Sequence, residues 1–441
     1  MKKIVMAAAL LLAQAALTVQ SHAAEPPRRH IRPYTSFAAA AADVSVNLPG
    51  GTPSASAYIS PVTDIARAEN DGQTRFSSSF VYPAAWLNRQ LLLRIGSASA
   101  GYTLFVNGVE AGRATCGTEP AEFNVTKLSH QGINEFCVLL DSADSSEPLL
   151  APGVAWIGRV EVLSQPTIRL RDVDVHTSLN EQGDAVVQVS LIVKTEALNA
   201  KRARMHFELA APDTSRLAYG YRDIALDMRG EDTVGFTAIV PRQWLWSPDS
   251  PSLLTLTVQN RISGRVAETV VLPVGVREVV HEEETLRVNG ERVQLSVATV
   301  SGGVSLEELL RLKSRGCNAV TVAAGEPSLT LYDACDAVGL YVVAQAGIDT
   351  SRGRRSTRRG GNASNDPRFT DEYLRRTSAM YHTAKSHPSV IVFSLGHGVT
   401  NGINPYESYM WIKSTGDTRA VVYDAAGEEW NNDLMDMKKM R

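Results

Sequence analysis

The hydrophobic period of the chain changes once, near Arg277, and this change limits the possible folds more than any other feature of the sequence. Before it, short runs alternate apolar and polar residues, as in residues 185–193, which is typical of half-buried strands. After it, helical patterns such as residues 305–312 alternate with continuous apolar runs such as residues 319–322. Strands that alternate with helices predict parallel βα units. We therefore expect a β region followed by an α/β region.

The β region divides into two predicted sandwiches. Residues 54–165 contain short strand-like runs separated by turn signals, and the pair Asn107-Gly108 directly follows one such run. An Asn-Gly pair in this position is a strong hairpin signal, and the strand spacing predicts a jelly-roll β-sandwich. Residues 166–276 continue the pattern for about 110 residues, a length that suits an immunoglobulin-like sandwich.

Residues 277–441 form the predicted α/β region. Ser305, followed three residues later by Glu308, has the spacing of a capping box and predicts that a helix begins there. Further helices are predicted at 328–338 and 371–384, and strands at 319–322, 340–343, 390–395 and 420–423.

The N-terminus has the pattern of a secretory signal peptide. Lys2 and Lys3 precede an apolar run over residues 4–19, and small residues flank a cleavage site after residue 23. The alternative is a membrane anchor, but the run is short and no later stretch reaches the roughly 18 apolar residues of a spanning helix. No Cys lies near the cleavage site, so a lipid anchor is not indicated. We expect the mature chain in the periplasm or outside the cell, with residues 24–53 as a loose N-terminal extension.

The composition excludes several function classes. The 441 residues include 44 basic and 47 acidic side chains, a net charge of −3, which favours neither nucleic acid nor an anionic membrane as partner. Four Cys are too few for a disulfide scaffold. A disulfide is permitted outside the cytoplasm, and we expect Cys116 to pair with Cys137. Cys317 and Cys335 lie in apolar, helical surroundings and are predicted to be buried thiols.

A series of short motifs resembles glycoside hydrolase family 2 and, within it, the β-galactosidases, over about residues 55–427. The motifs are Phe105-Val106-Asn107-Gly108, Glu122-Phe123-Asn124-Val125-Thr126 and Gly132-Ile133-Asn134 in the first sandwich, Trp246-Ser247-Pro248 in the second, Gly275-Val276-Arg277 and Leu286-Arg287-Val288-Asn289-Gly290 before the βα units, and Cys317-Asn318-Ala319-Val320, Asp336-Ala337-Val338-Gly339-Leu340-Tyr341, His387-Pro388-Ser389-Val390 and Trp411-Ile412-Lys413 within them. The resemblance implies that residues 277–441 are about the first half of a (β/α)8 TIM barrel.

The chemistry that the resemblance implies needs two carboxylates, one as acid/base and one as nucleophile. The family's acid/base Glu ends a Gly-Asn-Glu motif after the fourth barrel strand, and the matching positions here are Gly396-His397-Gly398. Gly398 has no side chain that can donate a proton. The family's nucleophile lies near the seventh strand, and a full barrel takes about 250 residues. The sequence supplies four strands clearly and a fifth at 420–423, so it resembles a degenerate and C-terminally truncated homologue.

The family's other polar motifs at the strand ends have also changed. The resemblance implies magnesium ligands in the β-galactosidase branch, and the matching positions hold Asp349, Ser351 and Gly398. One carboxylate is too little for a protein magnesium site, so we expect neither a metal nor another cofactor. The family's motifs after the first and second strands are likewise absent from residues 297–302 and 321–327, where Pro327 alone remains.

Three features at the strand ends are candidates for ligand binding, each with a simpler structural alternative. His397 could hydrogen-bond a sugar or be structural, and Asp349 could orient a ligand hydroxyl or be an unpaired carboxylate. The loop after the third strand carries Arg352, Arg354 and Arg355, which could meet an anionic glycan or an acidic partner, or simply be solvated.

Three hypotheses follow for function. The first is a secreted protein of carbohydrate metabolism that lacks hydrolase activity of its own and keeps a glycan-binding or assembly role. The second is a split β-galactosidase, active only when a second chain completes the barrel, and the third is a structural component of a cell-envelope complex. A half-barrel leaves an open sheet edge and an apolar inner face, so self-association or a second chain is expected to cover them.

Overall fold

The computed structural model describes residues 24–25, 28–29, 31–43, 57–70, 72–115, 117–141, 149, 154–282, 285–323, 326, 329–353, 356, 358–424 and 430–433. The predicted signal peptide, residues 1–23, lies outside the described residues, as do Cys116, Arg354 and Arg355. The Cys116–Cys137 pairing therefore stays a prediction. None of the helices in the described ranges is both long and apolar enough to cross a membrane.

The first domain is a two-sheet β-sandwich. Its strands are β1 (Ile59–Val62), β2 (Ala66–Asn70), β3 (Gln73–Tyr82), β4 (Gln90–Ile95), β5 (Tyr102–Val106), β6 (Val109–Ala114), β7 (Ala121–Asn124), β8 (Gly132–Leu140) and β9 (Val160–Gln165). One sheet has the order β1-β9-β4-β7 and the other β2-β3-β8-β5-β6. The predicted hairpin at Asn107-Gly108 is confirmed, because both residues adopt the positive φ that a tight turn between β5 and β6 requires.

The second domain packs a three-stranded sheet on a four-stranded one, as expected for an immunoglobulin-like sandwich. Its strands are β10 (Ile168–Leu179), β11 (Ala185–Thr195), β12 (Lys201–Ala210), β13 (Arg216–Leu226), β14 (Glu231–Val240), β15 (Leu254–Ile262) and β16 (Arg265–Val274). The sheet orders are β10-β11-β14 and β13-β12-β15-β16. Phe207 of β12 and Phe236 of β14 stack with ring centroids 3.9 Å apart, which joins the two sheets through the core.

The described part of the N-terminal extension is packed rather than loose. Tyr34 is buried and pairs with Thr269 of β16, and the short helix α1 (Phe37–Ala41) follows. The buried Arg32 guanidinium bonds the Glu161 carboxylate at 2.5 Å and Asp43 at 3.0 Å. A buried arginine is stable only with such partners. Residues 31–43 are thus a strap across the first two domains, which their Ala- and Pro-rich composition does not reveal.

The third domain contains the predicted βα units. A small sheet, β17 (Val279–Glu282), β18 (Thr285–Val288) and β19 (Glu291–Arg292), leads into β20 (Val297–Val300), α2 (Leu306–Ser314), β21 (Ala319–Val322), α3 (Leu329–Val338), β22 (Tyr341–Gln345), α4 (Thr370–Ala384), β23 (Val390–Ser394), α5 (Ile403–Ser414) and β24 (Ala420–Val422). Strands β20 to β24 form one parallel sheet in chain order. Ser305 caps α2 by accepting a hydrogen bond from the Glu308 amide, as its spacing predicts. The fifth strand is confirmed.

Residues of the second domain and of the β17–β19 sheet cover part of one face of this parallel sheet. Val343, Val392 and Val422 are buried in one cluster with Trp246 and with the β17–β19 sheet. The edge of β24 is also occupied, since Asp433 exchanges hydrogen bonds with Val421. At the other side of the sheet, β20 pairs with β21 alone among the described strands.

The two cysteines of this domain differ in environment. Cys335 is buried in α3, as predicted, and burial raises the pKa of its thiol. The prediction for Cys317 is wrong, because this residue follows α2 in a half-exposed loop. Its Sγ lies 3.2 Å from the Ser296 carbonyl oxygen, so a polar backbone contact replaces the expected apolar pocket.

Candidate functional site

The C-terminal ends of the barrel strands bring Asp349 and His397 together, as their positions in the sequence predict. Beyond β22 and β23 the parallel ladder continues through a bridge between these two residues. The His397 amide donates to the Ile348 carbonyl at 2.8 Å, and the Thr350 amide donates to the His397 carbonyl at 2.9 Å. This end of a parallel barrel is where ligand sites form.

His397 is paired with a carboxylate that sequence reasoning missed. Its Nδ1 lies 2.6 Å from the Asp424 Oδ2, and the Gly398 amide donates to the same oxygen at 2.9 Å. Because Nδ1 faces a carboxylate, it carries the proton, and a neutral His397 ring offers Nε2 as an acceptor. The His397 side chain is 44% exposed, which leaves it accessible to a ligand. Asp424 directly follows the predicted fifth strand, 420–423. A carboxylate at the end of a barrel strand was the sequence signal that could have placed it near His397.

Gly398 occupies a place where no side chain fits. Its φ of +67° is unfavourable for any residue with a Cβ, and an added Cβ would lie 2.5 Å from the Ser351 amide nitrogen and 2.6 Å from the Ser351 Cα. The Thr350 hydroxyl donates to the Gly398 carbonyl at 2.8 Å and holds the two loops together. The backbone after the third strand has therefore closed over the position that the resemblance assigns to an acid.

Asp349 is used within the chain. Its carboxylate accepts the Ser351 amide at 2.9 Å in a local turn, and its own amide donates to the Leu149 carbonyl at 2.7 Å. Leu149 comes from the first domain, between β8 and β9, yet it is fully buried in the core of the third. The first domain thus closes this end of the barrel beside Asp349. Arg352 lies exposed in the following loop.

The described residues hold one group of three potential metal ligands, and it lies at the opposite end of the barrel. It consists of Asp333 and Asp336 on α3 and His387 before β23. Burial raises the pKa of Asp333 to about 6. The Asp336 carboxylate is occupied, since it meets the His387 Nδ1 at 2.7 Å and accepts the Ser389 amide at 2.9 Å. These contacts are those of a structural clamp.

Two β-sandwiches are followed by a parallel sheet whose strands alternate with helices. This domain order is that of a family of barrel glycosidases. Two family descriptions match, "Glycosyl hydrolases family 2" over residues 168–277 and "Glycosyl hydrolases family 2, TIM barrel domain" over residues 301–439, which together cover more than half of the chain. The chain belongs to glycoside hydrolase family 2.

Curated relatives of the chain include bacterial β-galactosidases. The chain is 27% identical over 374 residues to the β-galactosidase of Psychromonas ingrahamii, a match that covers 80% of this chain and 36% of the relative. It is 26% identical over 400 residues to the β-galactosidase of Yersinia enterocolitica, covering 84% of this chain and 38% of the relative. The chain thus spans little more than a third of the length of these relatives.

Solved structures with the same fold include other members of the family. The β-glucuronidase 2 of Bacteroides uniformis superimposes with a TM-score of 0.68 at 17% identity, over 80% of this chain and 46% of that one. A putative β-galactosidase of Bacteroides fragilis superimposes with a TM-score of 0.66 at 18% identity, over 83% and 57%. At this identity the likeness concerns the fold.

Proposed function

We propose that this family 2 protein does not hydrolyse glycosides by itself and keeps a glycan-binding or assembly role outside the cytoplasm. The observation that carries the proposal is Gly398, where the family's acid is matched by a residue without a side chain. The Ser351 backbone fills the space in which a side chain would begin. A retaining glycosidase needs an acid and a nucleophile about 5 Å apart.

The described carboxylates at the strand ends hold the loops. Asp349 accepts a backbone amide in its own turn, and Asp424 accepts both His397 and the Gly398 amide. Glu326, after the second strand, accepts the Ser301 hydroxyl and the Gly302 amide, each at 3.2 Å. What the arrangement offers is recognition, because an oriented His397 ring can accept a hydrogen bond from a sugar hydroxyl.

The hydrolysis experiment uses the chain from residue 24 with nitrophenyl β-galactoside and nitrophenyl β-glucuronide, the two classes named among its relatives. We expect no turnover above the buffer background. We also expect that Gly398→Glu will not rescue turnover, since the added side chain collides with Ser351. Turnover that survives repurification would contradict the proposal.

The second candidate is a split enzyme, and one observation favours it. The chain covers 35–38% of the length of the β-galactosidases that it matches, so a second chain with the remaining barrel strands would complete the fold. The free edge of β20 is one place for such a chain to pair. Hydrolysis that occurs only after mixing with a separately expressed C-terminal barrel fragment would support this candidate.

Secretion and association are parts of the same proposal. Secretion predicts that the exported protein begins at residue 24 or 25, which N-terminal sequencing of the periplasmic fraction measures. Association through the β20 edge predicts a dimer or larger species in light scattering. A monodisperse monomer would contradict association through the β20 edge and would leave the glycan-binding role standing.

A further inference from the structure

A concave groove of about 780 Å³ lies on the outer face of the five-stranded sheet of the first domain. Its floor is made by alternate side chains of neighbouring strands, Ser77 and Ser79 on β3 and Cys137 on β8. The intervening residues, such as Phe76 and Val138, face the core. Since side chains alternate along a strand, the floor residues all face away from the core. The volume lies in the range of ligand sites in proteins.

The strand register places one aromatic ring among small residues. Ala66, Ser77, Cys137 and Phe105 follow one another across β2, β3, β8 and β5 in a single row. The three small side chains create the hollow, and the half-buried Phe105 ring forms one wall of it. The β5–β6 turn at Gly108 closes the rim on that side.

Four polar side chains of the groove have no partners among the described residues, whereas the Ser78 hydroxyl donates to the Asp64 carbonyl at 2.6 Å. Arg75, Ser77, Ser79 and Glu135 line it, and their side chains make no hydrogen bond or ion pair within the described ranges. The exposed face of the four-stranded sheet in the second domain is different. There the charges pair across strands, in the pairs Arg204–Asp223 and Arg216–Glu208. The groove therefore presents donors and acceptors that are available to a ligand.

We infer that this groove binds a neutral saccharide, an inference that rests on the glycan-binding role proposed above. A pyranose ring has an apolar face that packs on an aromatic side chain and an edge of hydroxyls that donate and accept hydrogen bonds. Phe105 supplies the aromatic ring for the apolar face. The hydrogen-bonding groups for the hydroxyls come from Arg75, Glu135 and the two serines. The charged lining consists of Arg75, Asp64 and Glu135, so the groove has one excess negative charge and disfavours uronates and sulfated sugars.

The experiment titrates the full chain from residue 24 with β-1,4-galactotetraose, cellotetraose and trigalacturonate by calorimetry. We expect at least one neutral tetrasaccharide to bind, and the acidic sugar to bind at least about tenfold more weakly. Phe105→Ala should weaken neutral binding roughly tenfold or more, whereas Phe105→Tyr should keep it. Glu135→Gln should weaken binding of the neutral saccharide by about threefold to tenfold. It should also reduce the difference in affinity between the neutral saccharide and trigalacturonate.

Matched variants keep the test interpretable. Tyr219→Ala removes an aromatic ring that is 62% exposed on the second domain, and it should leave binding unchanged. Glu135→Gln and Arg75→Gln alter exposed side chains, so they test the groove even when Phe105→Ala lowers the melting temperature.

The outcomes separate the inference from the proposal on which it rests. Neutral binding that is unchanged in the Phe105, Arg75 and Glu135 variants but lost in His397→Ala would overturn the groove and keep the glycan-binding role. Tighter binding of trigalacturonate than of the neutral sugars would overturn the ligand class. No binding of any saccharide would overturn both the role and the groove.

Discussion

The two ends of the barrel sheet are built in different ways. At the N-terminal ends of the strands, the Arg277 guanidinium donates to the carbonyls of Pro388, His387 and Val390 at 2.8, 3.2 and 3.0 Å. At the C-terminal ends, the described contacts include the local turn of Asp349, its backbone bond to Leu149 of the first domain, and the partly exposed His397–Asp424 pair. The first end is held by an arginine side chain with several backbone partners, whereas at the second end the Ser351 backbone fills the space beside Gly398. The contrast fits the proposal that the chain keeps the scaffold of the family without hydrolase activity of its own.

The N-terminal end explains why the scaffold motifs persist. Trp246 of the second domain is fully buried, and its indole N–H donates to the Asp336 carbonyl at 2.8 Å. Lys385 reaches from the third domain to Asp172 at 2.8 Å. Gly339 lies against the Pro248 carbonyl with a positive φ, so a side chain there would collide with the second domain. Trp246 and Gly339, two of the motif residues, thus contact a neighbouring domain.

The largest effect is expected from Arg277→Ala. The change removes the guanidinium donor from the Pro388 and His387 carbonyls, while the Val390 carbonyl still accepts from Arg419 at 3.1 Å. Each buried polar group that loses its partner costs about 1–3 kcal/mol. Burial, with the nearby Arg419 charge, lowers the pKa of Arg277 to about 9. We expect the unfolding free energy to fall by about 3 kcal/mol or more in urea titrations.

Arg287→Ala, on the exposed face of β18, is the matched control and should change the unfolding free energy by less than about 0.5 kcal/mol. Equal effects of the two changes would break the comparison.

The next effect is expected at the C-terminal end, from Gly398→Ala. A methyl group at this position meets the Ser351 backbone, and the positive φ adds strain. Gly316→Ala is the matched control, because Gly316 has a φ of +85° but open space around it. We expect Gly316→Ala to cost about 1 kcal/mol and Gly398→Ala about 2–3 kcal/mol. Equal costs in thermal unfolding would show that Ser351 does not fill the position.

A pH effect of intermediate size is expected from His382, which lies between the second and third domains. Burial, with the Lys385 charge next, lowers the pKa of His382 to about 3. The unfolded chain takes up this proton near pH 6.5, so the contribution to stability is complete above that pH and declines as the pH falls toward 3. Between pH 7 and 5 we expect wild type to lose about 1–2 kcal/mol relative to His382→Asn.

The difference between the two proteins is the quantity to measure, because other groups titrate in the same window. The pKa of Asp333 is raised to about 6, so its contribution grows as the pH falls and opposes that of His382. An unchanged wild-type-minus-variant difference between pH 7 and 5 would refute the role of His382.

The smallest effect is expected from His397→Ala. The hydrogen bond to Asp424 is partly exposed, and such surface contacts contribute up to about 1 kcal/mol. We expect a loss of less than about 1 kcal/mol in unfolding free energy. A loss above about 2 kcal/mol would show that the C-terminal end, too, is held by its side chains and would remove the contrast between the two ends.

The fold was predictable from local patterns, because period and capping are properties of short segments. The Ser305 cap, the Asn107-Gly108 turn and the fifth strand are examples that the structure confirms. The misses at the barrel strand ends are long-range. Asp424 lies 27 residues from His397, and Leu149 reaches the barrel from another domain. No local pattern encodes such contacts, which depend on how the domains pack.

The site was predictable only in part for the same reason. Asp349 and His397 follow adjacent strands, so their meeting could be read from the βα order. The contact between Ser351 and Gly398 depends on the path of the loop backbone. A glycine in the sequence indicates that an unusual φ or a close approach is allowed at that position, but it does not indicate which residue comes close.

The central proposal is that this chain does not hydrolyse glycosides by itself, and 2,4-dinitrophenyl β-galactoside tests it most directly. Dinitrophenolate is a good leaving group that needs no protonation, so a surviving nucleophile alone would release it. The measurement is the rapid-mixing absorbance of dinitrophenolate with the chain from residue 24 at high protein concentration. Our account predicts no burst and a slow rate equal to that of buffer, whereas a burst stoichiometric with protein would contradict it.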